Sequence, residues 1–234
     1  MNVKSAPEEG PFASWHRDVD GQVCHDGDVT EGARSYGGKS ADERAAARRA
    51  RLIDATIALL ATAGEGRTTM TAICAEAGLT ERYFYESFSS RDDALVAALD
   101  SVSEEIASTT LSAIAASSGN PEDRVRTTID AVVDLIVAAP EKMRVAVIES
   151  NANAVMRARR HALLGSFADL VATEARTLFG DATWPAPRDH NQGVIFMAGL
   201  SELVVSWLLG EAELTPAELA STASDSFVAL MRRA

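Results

Sequence analysis

Apolar residues recur every three or four positions along the chain from about residue 40 onward, a spacing that predicts amphipathic helices. The first predicted helix begins at a capping box, in which Ser40 is followed three positions later by Glu43. Gly64 and Gly66 end this helix after about Ala63. Its apolar stripe consists of Ala46, Ala50, Ile53, Ile57 and Leu60.

Six further stretches after residue 90 carry the same spacing, and Gly, Asn and Pro residues separate several of them. Asn120-Pro121 and a second capping box, Thr215 to Glu218, mark two of the helix starts. The predicted helices span about residues 91–116, 121–138, 141–151, 154–179, 188–209 and 216–232. The sequence therefore predicts an all-α protein.

The stretch that follows the first helix is organised differently, because its two helices are short. A helix from Thr69 to about Ala77 ends at Gly78, which supplies the positive φ that a sharp helix exit needs. Thr80 is a good N-cap for a second helix that ends near Phe88. This arrangement is typical of the helix-turn-helix that enters the DNA major groove.

The same stretch resembles the DNA-binding signature of TetR-family transcriptional regulators. The residues that carry the resemblance, in this order and spacing, are Thr69, Ile73, Ala77, Gly78, Thr80, Tyr85, Phe88, Ser90 and Arg91. The preceding segment RLIDATIALLATAG, from Arg51 to Gly64, also resembles the family, so the similarity covers about residues 44–99. The resemblance implies a three-helix DNA-binding head at residues 40–90 and a larger helical body for ligand binding and dimerisation at residues 91–234.

The resemblance and the helical positions together indicate which side chains contact DNA. Arg82 is placed to bond guanine bidentately, and Tyr83 offers its ring to a thymine methyl group. Tyr85 matches a family tyrosine that contacts the DNA backbone, and Arg91 matches a basic position that binds phosphate. Packing is the alternative role for the tyrosines, and a solvated basic face is the alternative for the arginines of the first helix. The predicted DNA contacts are Arg44, Arg48, Thr69, Thr71, Thr80, Arg82, Tyr83, Tyr85 and Arg91.

The chain has a formal net charge of −12, which argues against a protein that coats nucleic acid. Residues 39–95 hold eight basic and nine acidic side chains, whereas residues 96–234 hold 11 and 18. Because the head is nearly neutral and the body is acidic, DNA is expected to bind the head. The affinity of the head for DNA is expected to be modest in salt or to require a dimer. Glu81 and Glu86 depart from the family pattern. Glu81 either accepts from cytosine N4 or points away from the DNA, and Glu86 is expected to repel phosphate.

The resemblance also implies that a small apolar or amphipathic effector binds among the helices of the body. Pockets of this kind are mostly apolar with a few polar anchors. A place in the core is the alternative for each candidate. The candidate ligand contacts are Met143, Val147, Asn151, Met156, Phe167, Phe196 and Trp207.

The helix predicted at residues 188–209 is apolar on more than one side, so part of its surface needs a partner. Together with the last helix, at residues 216–232, it is expected to form a four-helix interface in a homodimer, as the resemblance implies. The apolar run from Val194 to Leu209 is short for a bilayer span and contains Glu202. We therefore expect no membrane partner and a cytoplasmic location.

Residues 1–39 are polar, acidic and rich in glycine, without a regular apolar period, so a disordered extension is expected. Within them, Cys24-His25-Asp26 lacks the second spaced ligand pair of a zinc site. Cys74 lies on the apolar face of a predicted helix and is interpreted as a small core residue. We expect neither a metal nor a cofactor.

These observations predict a ligand-responsive, dimeric DNA-binding regulator, most simply a repressor that a small-molecule inducer releases from a palindromic operator. The alternative is an all-α ligand carrier or enzyme without DNA activity. The sequence shows no nucleophile paired with a base, no glycine-rich phosphate loop and no paired metal-ligand spacing to support an enzyme.

Overall fold

The computed structural model describes residues 40–233, so the predicted extension at residues 1–39, with Cys24-His25-Asp26, lies outside the described residues. Within this range the fold is all-α, as predicted, and an isolated bridge joins Thr183 to Arg232. None of these helices combines the length and apolarity that a membrane span requires. The helices are α1 Ala41–Ala63, α2 Met70–Ala77, α3 Glu81–Ser87, α4 Arg91–Ala116, α5 Pro121–Ala138, α6 Pro140–Val147, α7 Ala154–Phe179, α8 Arg188–Leu208 and α9 Pro216–Met231.

Local sequence signals set several helix ends. Ser40 Oγ accepts the amide N–H of Glu43 at 3.0 Å, and Glu43 Oε2 accepts the amide N–H of Ser40 at 2.5 Å. Thr215 and Glu218 form the same reciprocal pair at the start of α9, so both predicted capping boxes are confirmed. Gly78 ends α2 in the left-handed conformation, with φ 60° and ψ 39°.

Two details differ from the sequence prediction. α6 ends at Val147 rather than near Asn151, because the chain tightens into a 3₁₀ turn at Glu149–Asn151. In α1, Ala46 and Ala50 are exposed, so the first part of the predicted apolar stripe does not enter the core.

The three helices of the head pack around a small core. Burial raises the pKa of the Cys74 thiol above its ordinary value, and the nearby Glu81 carboxylate adds to this rise. The thiol therefore stays protonated, in keeping with the predicted role of Cys74 as a small core residue. The buried members of this core are Leu52, Ala55, Ile73, Cys74, Ala77, Phe84, Phe88 and Ala94.

A second core joins the head to the body. Ile57 and Leu60, in the C-terminal half of α1, belong to one cluster with buried side chains of α4, α6, α7 and α8. Met143 and Met156, which are predicted ligand contacts, belong to the same cluster and are 4% and 0% exposed. The packing is therefore continuous across residue 90, where the sequence places a domain boundary.

Within the body, the backbones of α7 and α8 approach each other closely at Gly193. A Cβ atom at this position would lie 2.6 Å from the carbonyl oxygen of Ala168. Because no side chain fits into that distance, glycine is required for the two backbones to pack as they do.

Candidate DNA-binding surface

Two arginines of α1 hold the C-terminal ends of the short helices. Arg51 Nη2 donates to the carbonyl oxygen of Ala77 at the end of α2 at 2.5 Å. Arg49 Nη1 donates to the carbonyl oxygen of Ser87 at the end of α3 at 2.9 Å. Cations at these positions satisfy carbonyl groups that lack a partner within the helix and complement the helix dipole. Sequence reasoning missed this role, since it treated the arginines of α1 as one basic face.

The aromatic side of α3 anchors it to the head. Phe84 and Phe88 are 0% and 5% exposed, and their ring centroids lie 5.5 Å apart. The Arg49 guanidinium lies over the Phe88 ring, 4.4 Å from its centroid. This anchoring fixes which residues of α3 point away from the protein.

The opposite side of α3 is open to solvent. It presents Glu81, Arg82, Tyr85 and Glu86. The side chain of Arg82 is 83% exposed and Tyr85 is 60% exposed. The Tyr85 ring meets the Phe84 ring edge-on at 5.8 Å, which supports one edge of an otherwise exposed residue.

Two arginines neutralise the carboxylate of Glu86. Its Oε1 accepts from Arg82 Nε at 3.0 Å, and its Oε2 lies 3.6 Å from Arg48 Nη2. The Arg48 guanidinium also lies over the Tyr83 ring, 4.5 Å from its centroid, while Arg44 is exposed one turn earlier on α1. The repulsion of phosphate expected of Glu86 is thus offset locally. Exposed ion pairs of this kind are weak, so either arginine can exchange Glu86 for another anion at little cost.

Three threonines lie at the starts of the short helices. Thr69 Oγ1 accepts from the amide N–H of Ala72 at 3.2 Å, which leaves its hydroxyl proton for another acceptor. Thr71 is exposed in the first turn of α2. Thr80 occupies the N-cap position of α3, as predicted, and its side chain makes no capping hydrogen bond. Its exposed hydroxyl is therefore not committed to the helix.

Arg91 makes its contacts inside the head. Its Nε donates to the carbonyl oxygen of Thr68 at 2.8 Å, and its Nη2 donates to the carbonyl oxygen of Glu65 at 2.6 Å. The same Nη2 forms an ion pair with the Glu65 carboxylate at 2.5 Å. With its guanidinium turned toward the 3₁₀ turn after α1, Arg91 positions the start of α4, a role different from the phosphate contact that the family resemblance implies.

The Glu65 carboxylate also reaches the body. Asn153 Nδ2 donates to Glu65 Oε1 at 3.1 Å, and the Glu65 amide N–H donates to Glu149 Oε2 at 3.2 Å. The hydrogen bond from Asn153, supported by Arg91, outweighs burial and holds the pKa of Glu65 below its ordinary value. We call Glu65, Arg91, Glu149 and Asn153 the head–body cluster. No local sequence pattern links side chains that lie 84 and 88 positions apart, so this cluster was not predicted.

Two cavities lie between the helices of the body. The larger, of about 120 Å³, is bounded by α4, α5, α7, α8 and α9, and the smaller, of about 90 Å³, by α4, α6, α7 and α8. Of the predicted ligand contacts, Phe167 lines both cavities, Phe196 lines the larger and Val147 lines the smaller. Ile106 and Met197 line both cavities together with Phe167.

The other four predicted ligand contacts line neither cavity. Met143 and Met156 belong to the core between head and body, as described above. Asn151 is exposed, and its amide donates to the carbonyl oxygen of Val147 at 3.1 Å. Trp207 Nε1 donates to the carbonyl oxygen of Leu214 at 2.8 Å, and its ring packs against the body's own core. These four residues are structural in this conformation.

The two cavities differ in their charged residues. In the wall of the larger cavity, Arg124 Nη2 lies 3.2 Å from Glu174 Oε1, and Arg124 Nε donates to Ser117 Oγ at 3.3 Å. Burial raises the pKa of Glu174, and the Arg124 guanidinium opposes this rise. Among the described residues, the wall of the smaller cavity contains Arg160 and no acidic side chain.

Comparison with known proteins relates the head of this chain to a known family and its fold to solved structures. Residues 52–99 match the model of the bacterial regulatory proteins of the tetR family. The fatty acid degradation regulator FadR from Bacillus halodurans has a similar fold, with a TM-score of 0.65 and 14% sequence identity over 77% of this chain and 94% of that chain. A TetR family transcription regulator from Marinobacter aquaeolei VT8 matches with a TM-score of 0.61 and 18% identity over 82% and 100% of the two chains. A TetR-like transcriptional regulator from Rhodococcus sp. RHA1 gives 0.59 and 14% over 78% and 94%. None of the curated proteins matches the chain.

The matched residues contain the whole α2–α3 unit, with its anchored and exposed faces. The solved structures share the all-α fold of the head and the body together. Residues 52–99, which contain the helix-turn-helix, thus match the tetR family of bacterial regulatory proteins, and the chain as a whole has the fold of solved TetR-family regulators.

Proposed function

We propose that this protein is a dimeric repressor that binds a palindromic operator through α3 and leaves it when a small molecule occupies the body. The observation that carries the proposal is the course of α4. Its first residues contact the head through Arg91, and further along Ile106 lines both cavities. A ligand in the body thus contacts the helix that positions the head.

The exposed face of α3 and its surroundings form the proposed DNA contact. Arg82 and Tyr85 are large, exposed side chains on α3, and both can reach a base edge or a phosphate. Tyr83 and Arg48 stack together beside them and are suited to the DNA backbone. The other proposed contacts are Arg44, Thr69, Thr71 and Thr80, all of which are exposed.

The surface of α8 supports the proposed dimer. Val194 and Ile195 are 40% and 55% exposed, and Ala198 and Gly199 on the next turn are also exposed. Isologous pairing of α8 and α9 from two chains would cover this apolar stripe. Such a pair would also present two copies of α3 to two half-sites.

The proposal is tested by titrating the purified protein against the DNA upstream of its own gene, with footprinting and sedimentation of the free protein. We expect a dimer that protects a two-fold site whose half-sites lie about one helical turn, or a multiple of it, apart. The affinity is expected to fall steeply with salt, because phosphate contacts release counterions.

Two results would contradict the proposal. A folded dimer that binds no DNA at low salt would remove the DNA-binding role of α3. A complex that forms with equal affinity on unrelated sequences would remove the operator and leave only non-specific binding.

A further inference from the structure

We infer that the effector is an anionic amphiphile, with one carboxylate or phosphate group held by Arg160 and an unbranched hydrocarbon chain that occupies the two body cavities. The identification of this molecule as an effector rests on the proposed function. Its chemical class rests on the walls of the cavities alone.

Arg160 differs from its charged neighbours on α7. Arg159 forms an ion pair with Asp100 at 2.5 Å, and Arg157 donates to the carbonyl oxygen of Asn151 at 3.0 Å. Arg160 is half-buried in the wall of the smaller cavity, and within residues 40–233 it has neither a hydrogen-bond partner nor a carboxylate within 4.0 Å. A guanidinium beside apolar surface and without a counter-charge favours binding of an anion, to which it can donate two parallel hydrogen bonds.

The rest of the smaller cavity fits an anionic group. Its wall, as formed by residues 40–233, contains no acidic side chain, so an anion against it meets no like charge. Ser201 lies in the wall with a hydroxyl that can donate, whereas the Ser103 hydroxyl already donates to the carbonyl oxygen of Leu99 at 2.9 Å. Arg160 and Ser201 are thus the two polar side chains in this wall with uncommitted donors.

The larger cavity has the opposite character. Its one arginine, Arg124, is already paired with Glu174 and bonded to Ser117. A second carboxylate beside Arg124 would also lie beside Glu174, and this repulsion disfavours it. The remaining wall is almost entirely aliphatic and aromatic, so this cavity fits hydrocarbon and rejects a polar group that would lose its water.

The shared wall indicates a chain-like ligand. Ile106, Phe167 and Met197 separate the two cavities, and at about 120 and 90 Å³ each cavity is smaller than the ~150 Å³ that binds one benzene molecule. A thin chain held at Arg160 reaches the larger cavity once the Phe167 and Met197 side chains rotate. Met197 is well suited to this, since an unbranched thioether adapts to irregular space.

The position of the anionic group also connects it to the head. Leu99 and Ser103 of α4 and Ala146 and Val147 of α6 line the smaller cavity. α4 begins at Arg91, and the chain after α6 leads directly to Glu149, so both helices adjoin the head–body cluster. A ligand that widens this cavity therefore displaces the two helices that support the head.

The test measures binding of four probes by calorimetry, each below its micelle concentration: dodecanoate, dodecyl phosphate, dodecanol and dodecyltrimethylammonium. The wild-type protein is compared with Arg160→Gln and with the matched control Arg157→Gln, which removes an exposed cation from the same helix. We expect at least one anionic probe to bind about tenfold or more tightly than dodecanol to the wild type and to Arg157→Gln, as for a charge-assisted hydrogen bond. In Arg160→Gln that preference disappears, while dodecanol still binds.

Equal affinities for the anions and dodecanol, tightest binding of the ammonium probe, or equal behaviour of the two variants would each overturn the inference. Preference for only one of the two anions identifies the head group as carboxylate or phosphate.

A parallel DNA-binding titration separates this inference from the proposed function. Operator DNA that stays bound although an anion binds through Arg160 would contradict the effector role alone. Normal operator binding without binding of any anionic probe would contradict the ligand class alone.

Discussion

In the head, the guanidinium groups of Arg49, Arg51 and Arg91 donate to backbone carbonyl oxygens of neighbouring elements, whereas in the body Arg160 faces a cavity without a partner among the described residues. Hydrogen bonds between a side chain and the backbone of another helix fix the relative position of the two elements. Empty space beside a helix allows that helix to move. The head is thus built to keep one shape, and the body to change shape when the space is filled.

The head–body cluster lies between these two regions. Glu65 receives hydrogen bonds from Arg91 on the head side and from Asn153 on the body side. A shift of α4 or α7 in the body changes the geometry of this cluster. The comparison therefore predicts that substitutions at buried positions of the head alter DNA binding through stability, and that those in the body alter it through helix position.

The largest expected effect comes from the anchored side of α3. Phe84→Ala removes a fully buried ring and is expected to destabilise the protein by about 3–5 kcal/mol, measured by urea unfolding. DNA binding is then lost because α3 loses its most deeply buried anchor. Tyr85→Ala is the matched control, since it removes an exposed ring from the same helix.

Tyr85→Ala is expected to leave the unfolding free energy within about 0.5 kcal/mol of the wild type, as for a surface substitution. Its DNA affinity falls if Tyr85 is a contact. Equal destabilisation by Phe84→Ala and Tyr85→Ala would contradict the assignment of one buried, anchoring face and one exposed face to α3.

A smaller effect is expected in the body, at the contact between α7 and α8. Gly193→Ala places a methyl group against the carbonyl oxygen of Ala168, so the helices must separate, at a cost of about 1–3 kcal/mol in urea unfolding. Gly165→Ala on α7 is the control, because a Cβ there meets nothing within 4 Å. It is expected to stabilise the helix by up to about 1 kcal/mol.

An unchanged stability in Gly193→Ala would mean that α7 and α8 separate freely. The body would then be less tightly packed than this helix contact indicates. Movement of α7 and α8 would then transmit ligand binding to the head only weakly. If DNA binding weakens while the stability is unchanged, the contact between α7 and α8 transmits the effect of the ligand to the head.

The elements of the head were predictable because their signals are local. The capping box at Ser40 and the left-handed turn at Gly78 each involve residues within three or four positions, so the sequence contains all the necessary partners. The contacts of Arg49, Arg51 and Arg91 were not predictable, because their acceptors lie 38, 26 and 23–26 positions away. Helical spacing gives the face of a side chain and not its distant partner.

In the body the same limit separates ligand contacts from core. Met143, Met156 and Phe196 all occupy apolar positions at helical spacing, yet only Phe196 lines a cavity. Whether an apolar side chain faces another side chain or empty space depends on how several helices pack together. The spacing of apolar residues in one helix carries no information about that packing. Arg160 stands in a basic run of the sequence with Arg157 and Arg159, but its lack of a partner among the described residues appears only in three dimensions.

A further prediction concerns the specificity of the head. Arg82→Ala is expected to lower discrimination at one base position in each half-site by about 1–3 kcal/mol, measured by titration against single-base variants of the operator. Stability changes little, because the side chain is 83% exposed. Equal losses on specific and random DNA would reassign Arg82 to a backbone contact.

The smallest expected effects are pH-dependent and have opposite signs in the two regions. The pKa of Glu65 is lowered by Asn153 and Arg91, so its carboxylate contributes stability above its ordinary pKa and loses it as the pH falls through the folded value. Burial raises the pKa of Glu174, so its ionisation costs stability as the pH rises from the ordinary value through the raised one. Urea unfolding from pH about 3 to about 7 measures both dependences, each expected to be about 1 kcal/mol or less.

Relative to the wild type, Glu65→Gln should gain less stability on going from acid to neutral pH, and Glu174→Gln should gain more. Parallel curves for both variants would mean that neither carboxyl group senses its surroundings, and that the head–body cluster contributes nothing through the charge of Glu65.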